Sequence, residues 1–124
     1  MPKSDREALR LRIVLRPGAA LGPGKIDLLE AIAETGSIRA AGNRFKMSYR
    51  RAWSLVAELN GMFRAPLVVA AAGGRGGGGA TLTPLGRKVV ERFRAAEEGA
   101  WSAAEPHFRK LVAELGDMPA ATRD

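Results

Sequence analysis

Ser48-Tyr49-Arg50-Arg51-Ala52-Trp53-Ser54-Leu55-Val56-Ala57-Glu58-Leu59-Asn60-Gly61 is the stretch that decides the fold. At helical spacing Ala52, Leu55, Val56 and Leu59 share one side, while Arg50, Ser54 and Ala57 lie directly opposite, flanked by Arg51. Ser48 occupies a capping position, so the positive end of the helix dipole falls at the arginines. Such a helix fits the major groove of DNA. Small outward residues let its backbone approach the groove floor, and arginines in the first turn reach guanine edges or phosphates. Tyr49 overhangs that turn, within reach of a phosphate or a thymine methyl. Trp53, at the border of the apolar face, either packs or wedges against the hairpin or the DNA backbone. An ordinary amphipathic helix with a solvated basic face has the same pattern, so the flanking elements must decide.

Upstream, Gly36 ends one helix and Ser37 caps the next. In that short helix Ile38, Ala41 and Phe45 make the apolar stripe, and Arg39, Asn43 and Arg44 face away. Gly42 within it costs up to about 1 kcal/mol relative to Ala, which close packing against a neighbouring helix explains. Lys46-Met47 makes the tight turn into Ser48, and the pair of helices becomes a helix-turn-helix. A preceding helix begins near Lys25, with Leu28, Leu29 and Ile32 inward and Asp27, Glu30 and Glu34 outward. Before it, Leu9 to Leu15 alternates as a strand does, ending at Arg16-Pro17-Gly18.

Downstream, Leu67–Ala71 and Ala80–Leu82 flank the run Gly73 to Gly79, which is expected to be a β-hairpin with a flexible tip. A phosphate-cradling nucleotide loop needs a Lys-Ser or Lys-Thr pair entering a helix, and none is present. As a hairpin tip the glycines permit close approach to a sugar-phosphate chain, with Arg75 supplying charge; a plain linker is the alternative. Thr83-Pro84 then opens a long last helix with Leu85, Val89, Phe93, Ala96 and Ala100 on one stripe, widened by Val90 and Trp101. Pro106 is expected to break or kink it, and Phe108, Leu111, Val112 and Leu115 start a second amphipathic segment. This stripe is wider than one small domain needs. The C-terminal helix is therefore expected to form a homodimer, the alternative being a helix folded wholly onto its own domain.

The order strand, helix, helix, helix, hairpin, helix is that of a winged helix-turn-helix. The predicted fold is mainly α, with a small β-hairpin wing and a long C-terminal helix. Residues 1–8 are expected to be a flexible leader, 9–115 the domain, and 116–124 a flexible tail. With 124 residues, 20 Lys and Arg against 13 Asp and Glu, and a net charge of +7, the chain suits a polyanionic partner. Nucleic acid comes first and an acidic membrane surface second. There is no cysteine, and His107 is the sole histidine. No catalytic constellation, metal site or cofactor is therefore expected, and the chain is read as a non-enzyme. Met1 to Arg10 lacks the apolar core of a signal peptide, and the apolar run Ala65–Ala72 is too short to span a bilayer. A cytoplasmic protein with no membrane partner is expected.

The pieces Gly24-Lys25, Leu28-Leu29, Ile32, Gly36-Ser37-Ile38, Ala40-Ala41, Ser48-Tyr49-Arg50, Ala52-Trp53, Asn60, the glycine run, Leu82-Thr83 and Gly86 together resemble the N-terminal domain of the ModE family. These are molybdate-responsive transcription regulators, more distantly similar to the LysR-type DNA-binding domain. The resemblance spans roughly residues 9–115. It implies a dimer that binds a palindromic site on double-stranded DNA, with the third helix in the major groove and the wing beside it. By position it assigns Ser48, Tyr49 and Arg50, and the wing around Arg75, to DNA contact; the groove face adds Arg51 and Ser54. Full-length members carry a further oxyanion-binding module, so molybdate sensing is not expected of this chain alone. It is expected to be a standalone member, or one whose signal arrives through a partner. A winged helix acting as a protein-interaction module in a larger complex is the alternative.

Overall fold

Three punctuation points set the path of the chain through its helices. Gly36 adopts a left-handed φ of 71°, and its N–H closes the first helix onto Ile32. Ser37 immediately caps the next helix by accepting from the Ala40 N–H. Lys46, at φ 57°, turns the chain into the third helix, where the Ser48 hydroxyl oxygen accepts from the Arg51 N–H. The computed structural model describes residues 9–72 and 78–117. In order these form β1 (Ile13–Arg16), β2 (Ala19–Leu21), α1 (Pro23–Thr35), α2 (Ile38–Arg44), α3 (Tyr49–Met62), β3 (Val68–Ala71), β4 (Gly79–Leu82) and α4 (Pro84–Val112). The fold is mainly α: a winged helix-turn-helix with a small hairpin and a long last helix.

The core sits where α1, α2 and α3 meet. Ile26, Leu28, Leu29, Ala31, Ile32, Ala41, Ala52 and Leu59 are fully buried, and Leu67, Leu82, Val89 and Phe93 close it from the hairpin and α4. Burying one such Leu or Ile contributes about 1.5–3 kcal/mol, so this cluster orders the three helices. Two glycines permit close approaches. A Cβ on Gly42 would meet the Ala52 Cβ at 3.0 Å, which is the helix-against-helix packing expected for it. A Cβ on Gly86 would lie 2.3 Å from the Leu67 carbonyl oxygen, so α4 starts against the backbone leading into β3.

The hairpin is antiparallel, with Val68 opposite Leu82 and Ala71 opposite Gly79. It is fastened from three sides. The Asn60 side chain accepts from the Leu67 and Val68 N–H groups and donates to the Val68 carbonyl. The Ala80 N–H donates to the Gly36 carbonyl, and Thr83 donates its hydroxyl to Pro66 while capping α4 at Gly86.

Several expectations are corrected. The first strand is Ile13–Arg16, not Leu9–Leu15, and it pairs with a strand, Ala19–Leu21, that lies where a loop was expected. Pro17-Gly18 are the turn between them, so the segment is a hairpin. Helix α1 starts at Pro23, ahead of Lys25, because proline suits a first helical position. Phe45 is not in the inward stripe: it follows α2 as its C-cap, 39% exposed, and Gly42 takes the buried place. Pro106 does not break α4, which continues to Val112. Proline removes one N–H, the partner of the Ser102 carbonyl. Both residues lie on the outside of α4, and water can satisfy that oxygen. No helix among the described residues is long and apolar enough to cross a membrane. The glycine-run tip at 73–77, the leader and residues 118–124 lie outside the described residues.

Candidate nucleic-acid interface

Helix α3 is held from below by Ala52, Leu55, Val56 and Leu59, all buried, with Ala52 and Leu59 wholly so. Turned through half a revolution from them, Arg50, Ser54 and Ala57 are exposed, as is Arg51 on the flank. The strip is narrow, cationic at its N-terminal end and small along its length. Ser48, expected as a contact, has its oxygen engaged by the Arg51 N–H at 3.0 Å, which leaves its O–H as the group it can offer. The cap also orients Arg50 and Arg51, because it fixes the first turn on which both stand.

Tyr49 does more than overhang that turn. Trp53 Nε1 donates to its hydroxyl at 2.6 Å, and the Arg39 guanidinium stacks over its ring at 4.3 Å from the centroid. Tyr49 is 41% and Trp53 47% exposed, so the trio forms a ridge of cation, aromatic and indole rather than core. Stacking of this kind is worth about 0.5–1 kcal/mol at exposed sites and restrains side chains that would otherwise be mobile. The tyrosine keeps its own hydroxyl proton to donate. The spacing Tyr49 to Trp53 places both on one side of α3 and was visible in the sequence. Arg39 was expected simply to face away; it comes from the preceding helix, and no pattern within one helix indicates its partner.

Beside this ridge lies a cleft of about 580 Å³ between α3 and the wing, lined by Arg39, Tyr49, Trp53, Asn60, Val69 and Gly79 among others. Its floor is fastened on both sides. Asn60, not among the residues expected at the site, sets the angle of β3 against α3 through its three hydrogen bonds. Its roles as donor and acceptor to consecutive backbone groups are clear only once β3 is in place. Arg75, expected at the wing tip, lies outside the described residues.

The helices α4 and α1 are joined by one guanidinium. Arg94 donates to Glu30 at 2.6 and 3.1 Å, to Asp27 at 2.6 Å and to Glu97 at 2.8 Å. Burial works against its charge, but the hydrogen bonds it donates to Glu30, Glu97 and Asp27 more than offset that and raise its pKa well above the ordinary arginine value. Glu97 is itself buried, on the stripe that continues from Val89 and Phe93. The expectation that Asp27 and Glu30 only face solvent is thus incomplete, because both carboxylates hold the long helix.

Residues 24–87 match the family described as bacterial regulatory helix-turn-helix protein, lysR family. The chain is 46% identical over 108 residues to the molybdenum transport protein ModE of Azotobacter vinelandii, an alignment covering 87% of this chain and 40% of that protein. It is 43% identical over 95 residues to the molybdenum-pterin-binding protein MopB of Rhodobacter capsulatus, covering 77% of this chain and 35% of the relative. It is 39% identical over 71 residues to the DNA-binding transcriptional dual regulator ModE of Escherichia coli K12, covering 57% and 27% respectively. The chain spans well under half the length of these relatives.

Proposed function

The chain belongs to the LysR family of bacterial regulatory helix-turn-helix proteins and is ModE-like, and from that premise we propose that it is a DNA-binding transcription regulator, working as a homodimer on a palindromic site. One observation carries the reading: α3 exposes Arg50, Ser54 and Ala57 along a strip opposite four buried apolar residues. In this reading α3 lies in the major groove, Arg50 reads a base edge, and Ser48, Tyr49, Arg51 and Ser54 approach phosphates or bases. The wing is proposed to follow the adjacent backbone, with Arg75, between β3 and β4 in sequence, supplying charge. The net charge of +7 supports a polyanionic partner, and the proposed place of work is the cytoplasm.

The dimer is proposed through the C-terminal part of α4, where Phe108, Leu111 and Val112, followed by Leu115, stand exposed on the described chain. Covering them against a second copy removes apolar surface from water and presents two recognition helices to one face of DNA. Selection of bound duplexes from a random pool tests the whole proposal. The expected result is two inverted half-sites about 34–36 Å apart, centre to centre. A pool with no preferred sequence refutes it; a hetero-complex that survives nuclease and does not depend on Arg50 and Arg51 would favour a protein-interaction module instead. Molybdate binding is not part of the proposal. Equilibrium dialysis checks this, and tight saturable uptake by the chain would overturn it.

A further inference from the structure

A second cleft, of about 510 Å³, flanks α3 on the side away from the wing. Its lining includes Arg10 and Arg12 from the segment before β1, Gly22 and Lys25 at the start of α1, and Arg51 and Leu55 of α3. The cations in it are not equivalent. Lys25 is committed to structure, donating to Glu58 at 2.5 Å and to the Ala20 carbonyl at 3.0 Å, which ties α1 and β2 to α3. Among the described residues, Arg10, Arg12 and Arg51 form no ion pair. Glu58, the carboxylate nearest in sequence on α3, is taken by Lys25. Three guanidiniums therefore line one cleft with no carboxylate of the described chain bound to them.

The position of the cleft identifies its occupant. At 3.6 residues per turn, Tyr49 and Arg51 lie about 100° to either side of Arg50. The tyrosine flank opens on the wing cleft and the Arg51 flank on this one. A helix with its side chains is about 10–12 Å across and the major groove about 12 Å wide, so a helix lying in the groove has a phosphate rim along each side. We propose that Arg10, Arg12 and Arg51 form a second phosphate site, which grips the DNA backbone across the groove from the wing. This rests on the reading that α3 lies in the major groove. It gives the segment before β1 a binding role, with Arg10 and Arg12 on the face that carries Arg51. Guanidiniums suit phosphate oxygens because their planar donors pair with two acceptors at once.

The test uses the full chain, its selected duplex and an unrelated duplex, with affinity measured against salt. Arg10→Gln/Arg12→Gln should bind both duplexes more weakly. The slope of log affinity against log salt should become shallower by about 1.8, or 0.9 for each phosphate that is no longer neutralised. The ratio between the two duplexes should stay unchanged. Arg10→Lys/Arg12→Lys keeps the charges and should restore most of the slope, which separates phosphate binding from any effect on folding. Phosphate-ethylation interference should fade on the strand away from the wing and persist beside it. An unchanged slope in the glutamine variant, with the wild-type chain still preferring its duplex, overturns the second site and leaves the groove reading intact. A wild-type chain with no duplex preference overturns both. A changed ratio with an unchanged slope also overturns the phosphate assignment, since it marks base readout or an acidic protein partner.

Discussion

Arg50 and Gly86 show how much one position can carry. Arg50 stands on a capped first turn, exposed, with the buried side of α3 directly beneath it. Arg50→Ala should relax preference at one base position and cost about 1–3 kcal/mol of discrimination, read by titrating the selected duplex against single-base variants. A uniform loss on every duplex would instead place Arg50 on a phosphate. Gly86 has no exposed chemistry, yet a methyl there meets the Leu67 carbonyl at 2.3 Å, which only a backbone shift relieves. Gly86→Ala should destabilise the fold by about 3 kcal/mol, the upper end for overpacking, in denaturant unfolding. Gly42→Ala, whose new Cβ meets another Cβ at 3.0 Å, should cost about 1 kcal/mol or less, because the gain in helix propensity works against the clash. The order of the two is the prediction. Gly42 was legible in the sequence as a packing residue, whereas nothing local to Gly86 announces the Leu67 carbonyl on the far side of the hairpin.

At the scale of elements, the helices were legible wherever periodicity and caps agreed. Ser37, Ser48 and Thr83 each stand at the N-cap, and each accepts from the N–H three residues on. The edges were less legible. Pro106 is a strong local signal to stop, but α4 runs through it because only one hydrogen bond on its outer side is forgone. The strand Ala19–Leu21 is short and rich in alanine, and it forms because β1 folds back on it. What positions α4 is Arg94, whose partners Asp27 and Glu30 lie 67 and 64 residues away. Arg94→Ala strands the buried Glu97 without a cation and should cost about 3 kcal/mol, the low end for breaking a buried pair. Arg94→Ala/Glu97→Ala should recover part of that loss, since the charge left alone is removed as well. Thermal and denaturant unfolding of the two variants checks the sign of the difference; a double variant no more stable than the single would assign the cost to packing.

For the whole molecule, the exposed apolar run at the end of α4 is the feature a monomer explains least well. Phe108→Glu/Leu111→Glu should shift the chain toward monomer in sedimentation at micromolar concentration. Its affinity for a single half-site should stay within about twofold, because those residues lie outside the groove face. Equal sedimentation of variant and wild type, both monomeric, would remove α4 as the dimer contact.

What the order of residues determined alone was local: which segments coil, where they are capped, and which side of Ser48–Gly61 is apolar. Those features depend on neighbours three or four positions away, and they sufficed for a winged helix-turn-helix and its outward arginines. Only the tertiary structure decided that Arg39 stacks on Tyr49, that Asn60 sets the wing, that Arg94 gathers three carboxylates, and that α3 runs between two clefts. Each of these joins groups from separate elements. Their energies depend on distance and desolvation after packing, which spacing along the chain does not encode.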